Sequence, residues 1–177
     1  SLVVRETGTP SRQSTAGSDR AFGADRRNLH GWGIYVLNEN PRADIVIEAP
    51  RPHADPLTLD AAAALYVAMG ARALIVAGAH PSAGRDGSSD VLREADTIYH
   101  EAHRAFLDAA VIQVRATSDG VSELWVKRGL PGEASDLRLL RSAIGDFRLK
   151  WEETGSEDIQ RRDSRGSFVT LALSRAA

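Results

Sequence analysis

The chain has 177 residues, 42% of them hydrophobic and 26% charged, a size that supports one packed core and is short for two, so one domain is expected and neither a disordered nor a fibrous class is suggested. A formal charge of −2 lacks the positive excess of a nucleic-acid binder, and the absence of cysteine excludes disulfides and thiolate metal sites. No apolar run approaches the roughly 20 residues needed to span a bilayer, and Ser1 to Glu6 lacks the form of a signal peptide, so the expectation is a cytoplasmic protein without a membrane partner.

A first strand is expected over residues 2–5, followed by a polar, Gly- and Ser-rich stretch over 7–28 that reads as a surface loop or flexible arm. Residues 1–28 are thus an N-terminal strand and arm, and 29–177 a single domain. Trp32 to Leu37 reads as a strand closed by the turn signal Asn38-Glu39-Asn40-Pro41, and Ile45 to Ala49 as its antiparallel hairpin partner. Thr58 is placed to cap a helix over 59–69 that ends at Gly70, with Leu59, Ala62, Ala63, Tyr66 and Met69 on its buried stripe. Ala73 to Ala77 has the unbroken apolar character of a parallel strand covered on both faces. Strand, helix and strand make a right-handed crossover.

After the loop Pro81 to Ser89, Asp90 or Ser89 is placed to cap a second helix over 91–108. Ala110 to Val114 is the next buried strand, and Leu124 to Val126 a further one. A helix is expected over 135–144, an edge strand over 147–151, a charged loop over 152–166 and a last strand over 168–173. The alternation predicts a single three-layer α/β domain: a mixed, mostly parallel sheet with helices on both faces, phosphorylase- or hydrolase-like.

Polar side chains that can do chemistry follow the carboxyl ends of two of these strands, where open α/β sheets bind ligands. His53 and Asp55 stand two apart in a proline-rich turn and can address one ion, or Asp55 can simply hold the turn before the helix. His80 closes a buried strand at the rim of the sheet. His100 and His103 nearly share a helix face, at a spacing better suited to packing or pocket lining than to zinc. Asp90, Glu94, Asp96 and Glu101 are acid–base candidates, although a helix start attracts carboxylates on electrostatic grounds alone. No serine elbow, Walker loop or dinucleotide fingerprint is present.

The segments Val46-Ile47-Glu48-Ala49-Pro50-Arg51-Pro52-x-x-Asp55, Ala73 to His80, Ser89-Asp90-Val91 with Asp96, His100, His103 and Phe106, and Val111-Ile112-Gln113-Val114 together resemble small bacterial zinc hydrolases. These are related to the N-formylglutamate amidohydrolases and the zinc carboxypeptidase-like fold. The resemblance implies a first loop of the form Pro-His-Pro-x-x-Asp holding zinc, with Arg51 here at the histidine. It implies a second zinc histidine where this chain has Arg115, a pocket histidine where it has Arg93, and a carboxylate where it has Ala172. A guanidinium stays protonated and has no lone pair to give a metal.

The resemblance and its departures imply a catalytically degenerate domain with no cofactor, binding a small anionic ligand or a protein partner. The ligand-binding candidates are Arg51, His53, Asp55, His80, Arg93, Asp96, His100, His103 and Arg115. A guanidinium suits carboxylate or phosphate, or Arg51 and Arg115 pair internally with Asp55, Asp90 or Asp96. One alternative is a zinc-dependent amidohydrolase or peptidase using His53, Asp55 and His80, with Asp90 or Asp96 activating the metal-bound water. Another is a structural module that assembles as a homo-oligomer.

Overall fold

The computed structural model describes residues 2–4, 33–55, 57–84, 86–117, 123–127, 148–152 and 158–174. The elements are β1 (Leu2–Val4), β2 (Ile34–Leu37), β3 (Ile45–Ala49), α1 (Leu57–Met69), β4 (Ala73–Val76), α2 (Ile98–Arg104), β5 (Ala110–Thr117), β6 (Glu123–Lys127), β7 (Arg148–Glu152), α3 (Ile159–Asp163) and β8 (Phe168–Ser174). They build one eight-stranded sheet of order β1-β2-β4-β3-β5-β8-β6-β7. Its centre, β4-β3-β5-β8, is parallel throughout, while β1, β2 and the β8–β6 pairing are antiparallel. This is the expected α/β architecture.

Strand alternation sorts the core into two layers. Ile45, Ile47, Ala49, Leu74, Val76, Ile112, Val114 and Leu171 face α1, whose Ala62, Leu65 and Met69 close that layer. Val46, Ala73, Ile75, Ala77, Val111 and Phe168 face the other way, against Tyr99 of α2. Each fully buried Leu or Ile side chain here contributes about 1.5–3 kcal/mol. Leu65, 1% exposed, is a main anchor of α1 that the expected stripe omitted.

Several expectations are corrected. β2 does not form a hairpin with β3; it runs antiparallel to β4, with Tyr35 opposite Ile75, and β3 lies one strand further in. The turn after β2 reverses the chain, but the crossover through α1 then inserts β4 between the two strands. The expected helix over 91–108 shrinks to α2, capped by Thr97, whose hydroxyl accepts the His100 N–H at 3.1 Å. Helix cannot extend back because the Leu92 carbonyl accepts the Ile159 N–H at 3.0 Å and the Val91 carbonyl accepts the Gln160 amide at 2.6 Å. The expected loop over 152–166 contains α3, capped by Asp158 through the Arg161 N–H at 3.1 Å. The helix expected over 135–144 lies outside the described residues.

At the start of α1, Thr58 is already helical and donates its hydroxyl to the Asp55 carbonyl at 2.6 Å, so it is a donor to the preceding turn and not the expected capping acceptor. At the other end, Gly70 has φ +59, with Gly70 N–H to Val67 O at 3.2 Å and Ala71 N–H to Tyr66 O at 3.1 Å, a Schellman termination. A Cβ at Gly70 would also stand 2.4 Å from the Arg42 Nε, whose side chain donates to the Val67 and Ala68 carbonyls. Gly70→Ala is therefore expected to cost about 1–2 kcal/mol through left-handed strain and loss of that arginine cap. A urea midpoint unchanged from the parent would show that the turn relaxes freely.

Candidate functional site: an arginine crevice above a buried polar row

The carboxyl ends of β3 and β5 are adjacent, yet β3 leads by way of α1 to β4 on one side, whereas the chain after β5 leads to strands on the other. This is a topological switch point, and in open α/β sheets the crevice that receives ligands lies outside the strand ends at such a point. The β3–α1 turn brings Arg51 and Asp55 to it, and the last residues of β5 bring Arg115. Arg51 Nη2 donates to both Asp90 oxygens, at 3.0 and 2.7 Å, with the two side chains 27% and 14% exposed. Arg93 Nε stands 3.9 Å from the same carboxylate. The Asp55 carboxylate turns to β5 and accepts the Ala116 N–H at 3.4 Å.

Arg115 is partly buried. Burial lowers its basicity, Asp158 opposes that, Arg51 adds to it, and Asp55 and Asp90 oppose it again, so all five groups share one electrostatic site. Asp158 is itself buried, and burial raises its pKa against the Arg161 N–H bond that lowers it. The Arg51 Nε is buried without a hydrogen-bond partner among the described residues, although its guanidinium is held by Asp90. Leaving such a donor unmet costs about 1–3 kcal/mol, and an incoming acceptor recovers it.

Beneath the crevice lies a polar layer drawn from segments far apart in the sequence. Glu48 of β3, Gln113 of β5 and Thr170 of β8 are paired in register, all buried, on the α2 face. Above this row, Arg115 is paired with Ala172. His103, fully buried, bonds Glu48 Oε1 through Nδ1 at 2.7 Å and Ser164 Oγ through Nε2 at 3.2 Å. The order Ser, His, Glu has the outline of a nucleophilic triad, but Ser164 donates its hydrogen to the Gln160 carbonyl at 2.9 Å. Its Oγ therefore accepts from His103 Nε2–H, the reverse of the polarity that activates a nucleophile.

His103 is thus a donor through both nitrogens. Burial, the largest influence, pulls its pKa down; the Glu48 hydrogen bond and charge, with Asp158 and Asp163, outweigh it and leave the pKa raised. His100 stacks on it, centroids 5.9 Å apart and planes 17° apart, and carries the opposite shift. Burial lowers the His100 pKa, and Asp163, 3.3 Å from Nε2, only partly opposes this. Tyr99 completes the layer, its hydroxyl pKa raised well above the ordinary value by burial and then by Glu48 and Asp158.

Of the expected site residues, the fold gathers Arg51, Asp55, Arg93 and Arg115 with Asp90 around the crevice. His100 and His103 belong to the buried layer below. The others stand outside: His53 is exposed, Asp96 is exposed with its N–H on Glu94, and His80 is exposed with its ring on Ser82 at 2.7 Å. Glu101 pairs with Arg104 on the surface.

The zinc that the sequence resemblance implies needs lone-pair donors converging on one point. Among the described residues no three His, Asp or Glu side chains are grouped in that way, and His53, Asp55 and His80 form no such set. At Arg51 and Arg115 the side chains are cations without a free electron pair, so the described residues at these positions do not fit the metal. No helix among the described residues is long and apolar enough to cross a membrane.

No protein-family model matches the chain, and no curated protein matches it. Two solved structures share its general outline. One is a bacteriophage poly-gamma-glutamate hydrolase, 18% identical, with a TM-score of 0.49 over 80% of this chain and 71% of that one. The other is zinc-free apo YndL, 14% identical, with a TM-score of 0.48 over 80% of this chain and 72% of the other.

Glu48, Gln113, Asp158, Gln160 and Ser164 went unrecognised as a group because they come from segments far apart in sequence. One signal was available: Glu48 is the single charged residue inside the apolar run Ile45 to Ala49, and every residue of that run is buried.

Proposed function

We propose that this chain is a hydrolase-like domain without metal catalysis, whose crevice at the β3–β5 switch point receives an anionic ligand on Arg51 and Arg115. The observation that supports this reading is the Arg51 guanidinium: it already grips a carboxylate, that of Asp90, while its buried Nε–H has no acceptor among the described residues. Arg115 stands beside it, its charge balanced through space by Asp158, Asp55 and Asp90 without a direct ion pair among the described residues. Fixed guanidiniums in a partly desolvated crevice repel a dication and hold an oxyanion through charge-assisted hydrogen bonds.

Metal analysis of the purified protein, dialysed against zinc, tests this. The expected result is less than one equivalent bound, and stoichiometric zinc on native side chains refutes the proposal. Arg51→His combined with Arg115→His restores two imidazoles beside Asp55 and is expected to bring zinc uptake to near one equivalent. No gain in bound zinc by a folded double variant would show that these positions do not converge as a ligand set.

A further inference from the structure

We infer that the ligand's anionic group is a carboxylate, and that Asp90 is a tethered stand-in for it, occupying Arg51 until the ligand displaces it. This rests on the anion-binding reading above and adds to it a chemical class and a competitor. Asp90 ends a segment with little regular structure, in which Gly87 adopts φ +81 and Asp86 is held mainly by Ser88 at 2.6 Å. Both Asp90 oxygens converge on a single nitrogen, Arg51 Nη2, so the Nε–H on the same edge of the guanidinium makes no bond. A carboxylate that displaces Asp90 and seats on that edge can take two parallel bonds, to Nε and Nη2, a better match than the one-nitrogen contact Asp90 makes.

Charge selects the class. The crevice holds Arg51, Arg93 and Arg115 against Asp55, Asp90 and Asp158. Exchange of the Asp90 carboxylate for another carboxylate conserves charge at Arg51. A phosphate dianion would add negative charge beside Asp55 and Asp158, which like-charge repulsion in a partly buried site penalises.

The probes are N-acetylglycinate and inorganic phosphate, titrated calorimetrically into the full chain. The parent is expected to bind N-acetylglycinate weakly, Asp90→Asn to bind it about tenfold more tightly, and Arg51→Gln to lose it. Phosphate is expected to bind Asp90→Asn less tightly than the carboxylate does. Asp90→Ser serves as a second variant in case the amide disturbs the turn, with far-ultraviolet circular dichroism confirming the fold.

If the parent binds and neither Asp90 variant binds more tightly, the stand-in role is overturned while the anion site survives. Preference for phosphate overturns the carboxylate class. Failure of every form to bind either probe overturns the anion site itself.

Discussion

His103→Ala is expected to lower the unfolding free energy by about 3–5 kcal/mol, because it strands Glu48 in the sheet interior without its partner. Glu48 and His103 are both fully buried and lie 2.7 Å apart. Taking an ionic pair out of water is expensive, and the pair is worth little relative to a well-packed apolar one; removing half of it is what costs. Accordingly Glu48→Leu with His103→Leu should recover most of the loss. Urea unfolding of the three forms checks this, and a single-variant loss below about 1 kcal/mol would mean that water reaches Glu48.

The same pair sets a pH dependence. The raised pKa of His103 makes its contribution complete below about 6.5, its unfolded value, and lost as pH rises through the folded value. The lowered pKa of His100 does the opposite: its contribution is present above about 6.5 and lost as pH falls through the folded value. Asp158, raised by burial, favours the fold most below its unfolded value of about 4, and this is lost as pH rises through its folded value. Removing His103 should therefore flatten the alkaline side of the stability curve, and His100→Ala its side below about 6.5. Identical curves for the two variants would contradict the opposed shifts.

Phe168→Ala is expected to cost about 3–5 kcal/mol. Phe168 opens β8 with no exposed surface and supports the α2-side core with Val46, Ile75 and Val111. Its ring meets His103 edge-on, centroids 6.4 Å apart at 63°, and carries the Arg161 guanidinium 6.0 Å above it. Truncation leaves a cavity and removes the floor under His103, while the crevice residues keep their places. Chemical denaturation gives the energy, and carboxylate titration should show unchanged affinity at a temperature where the variant is folded. A loss under about 1.5 kcal/mol would show that neighbouring chains collapse into the space.

The sequence made the β3–α1–β4 unit legible because each element carries its own signal: a buried β-branched run, a polar turn, and Gly70 at the helix end. The position of β2 was not legible, since Asn38 to Pro41 encodes a reversal but not the strand that later slides between. Periodicity over 91–108 overstated a helix because Leu92 is buried beside α3, whose Ile159 N–H engages its carbonyl from a distant part of the chain. Arg51, Arg93 and Arg115 stood out against the resemblance, and their shared crevice with Asp55 and Asp90 follows from the expected sheet. The links from His103 to Glu48 and Ser164 span 55 and 61 residues and leave no local trace.

The in-register row Glu48, Gln113, Thr170 acts as an alignment key for the central strands. Sliding β5 by one residue would turn Gln113 into the oily layer under α1 and push Ile112 or Val114 against Glu48 and His103. Each misaligned arrangement is thus penalised on both faces at once, so a sheet whose apolar strands could otherwise pair in several frames is held to one.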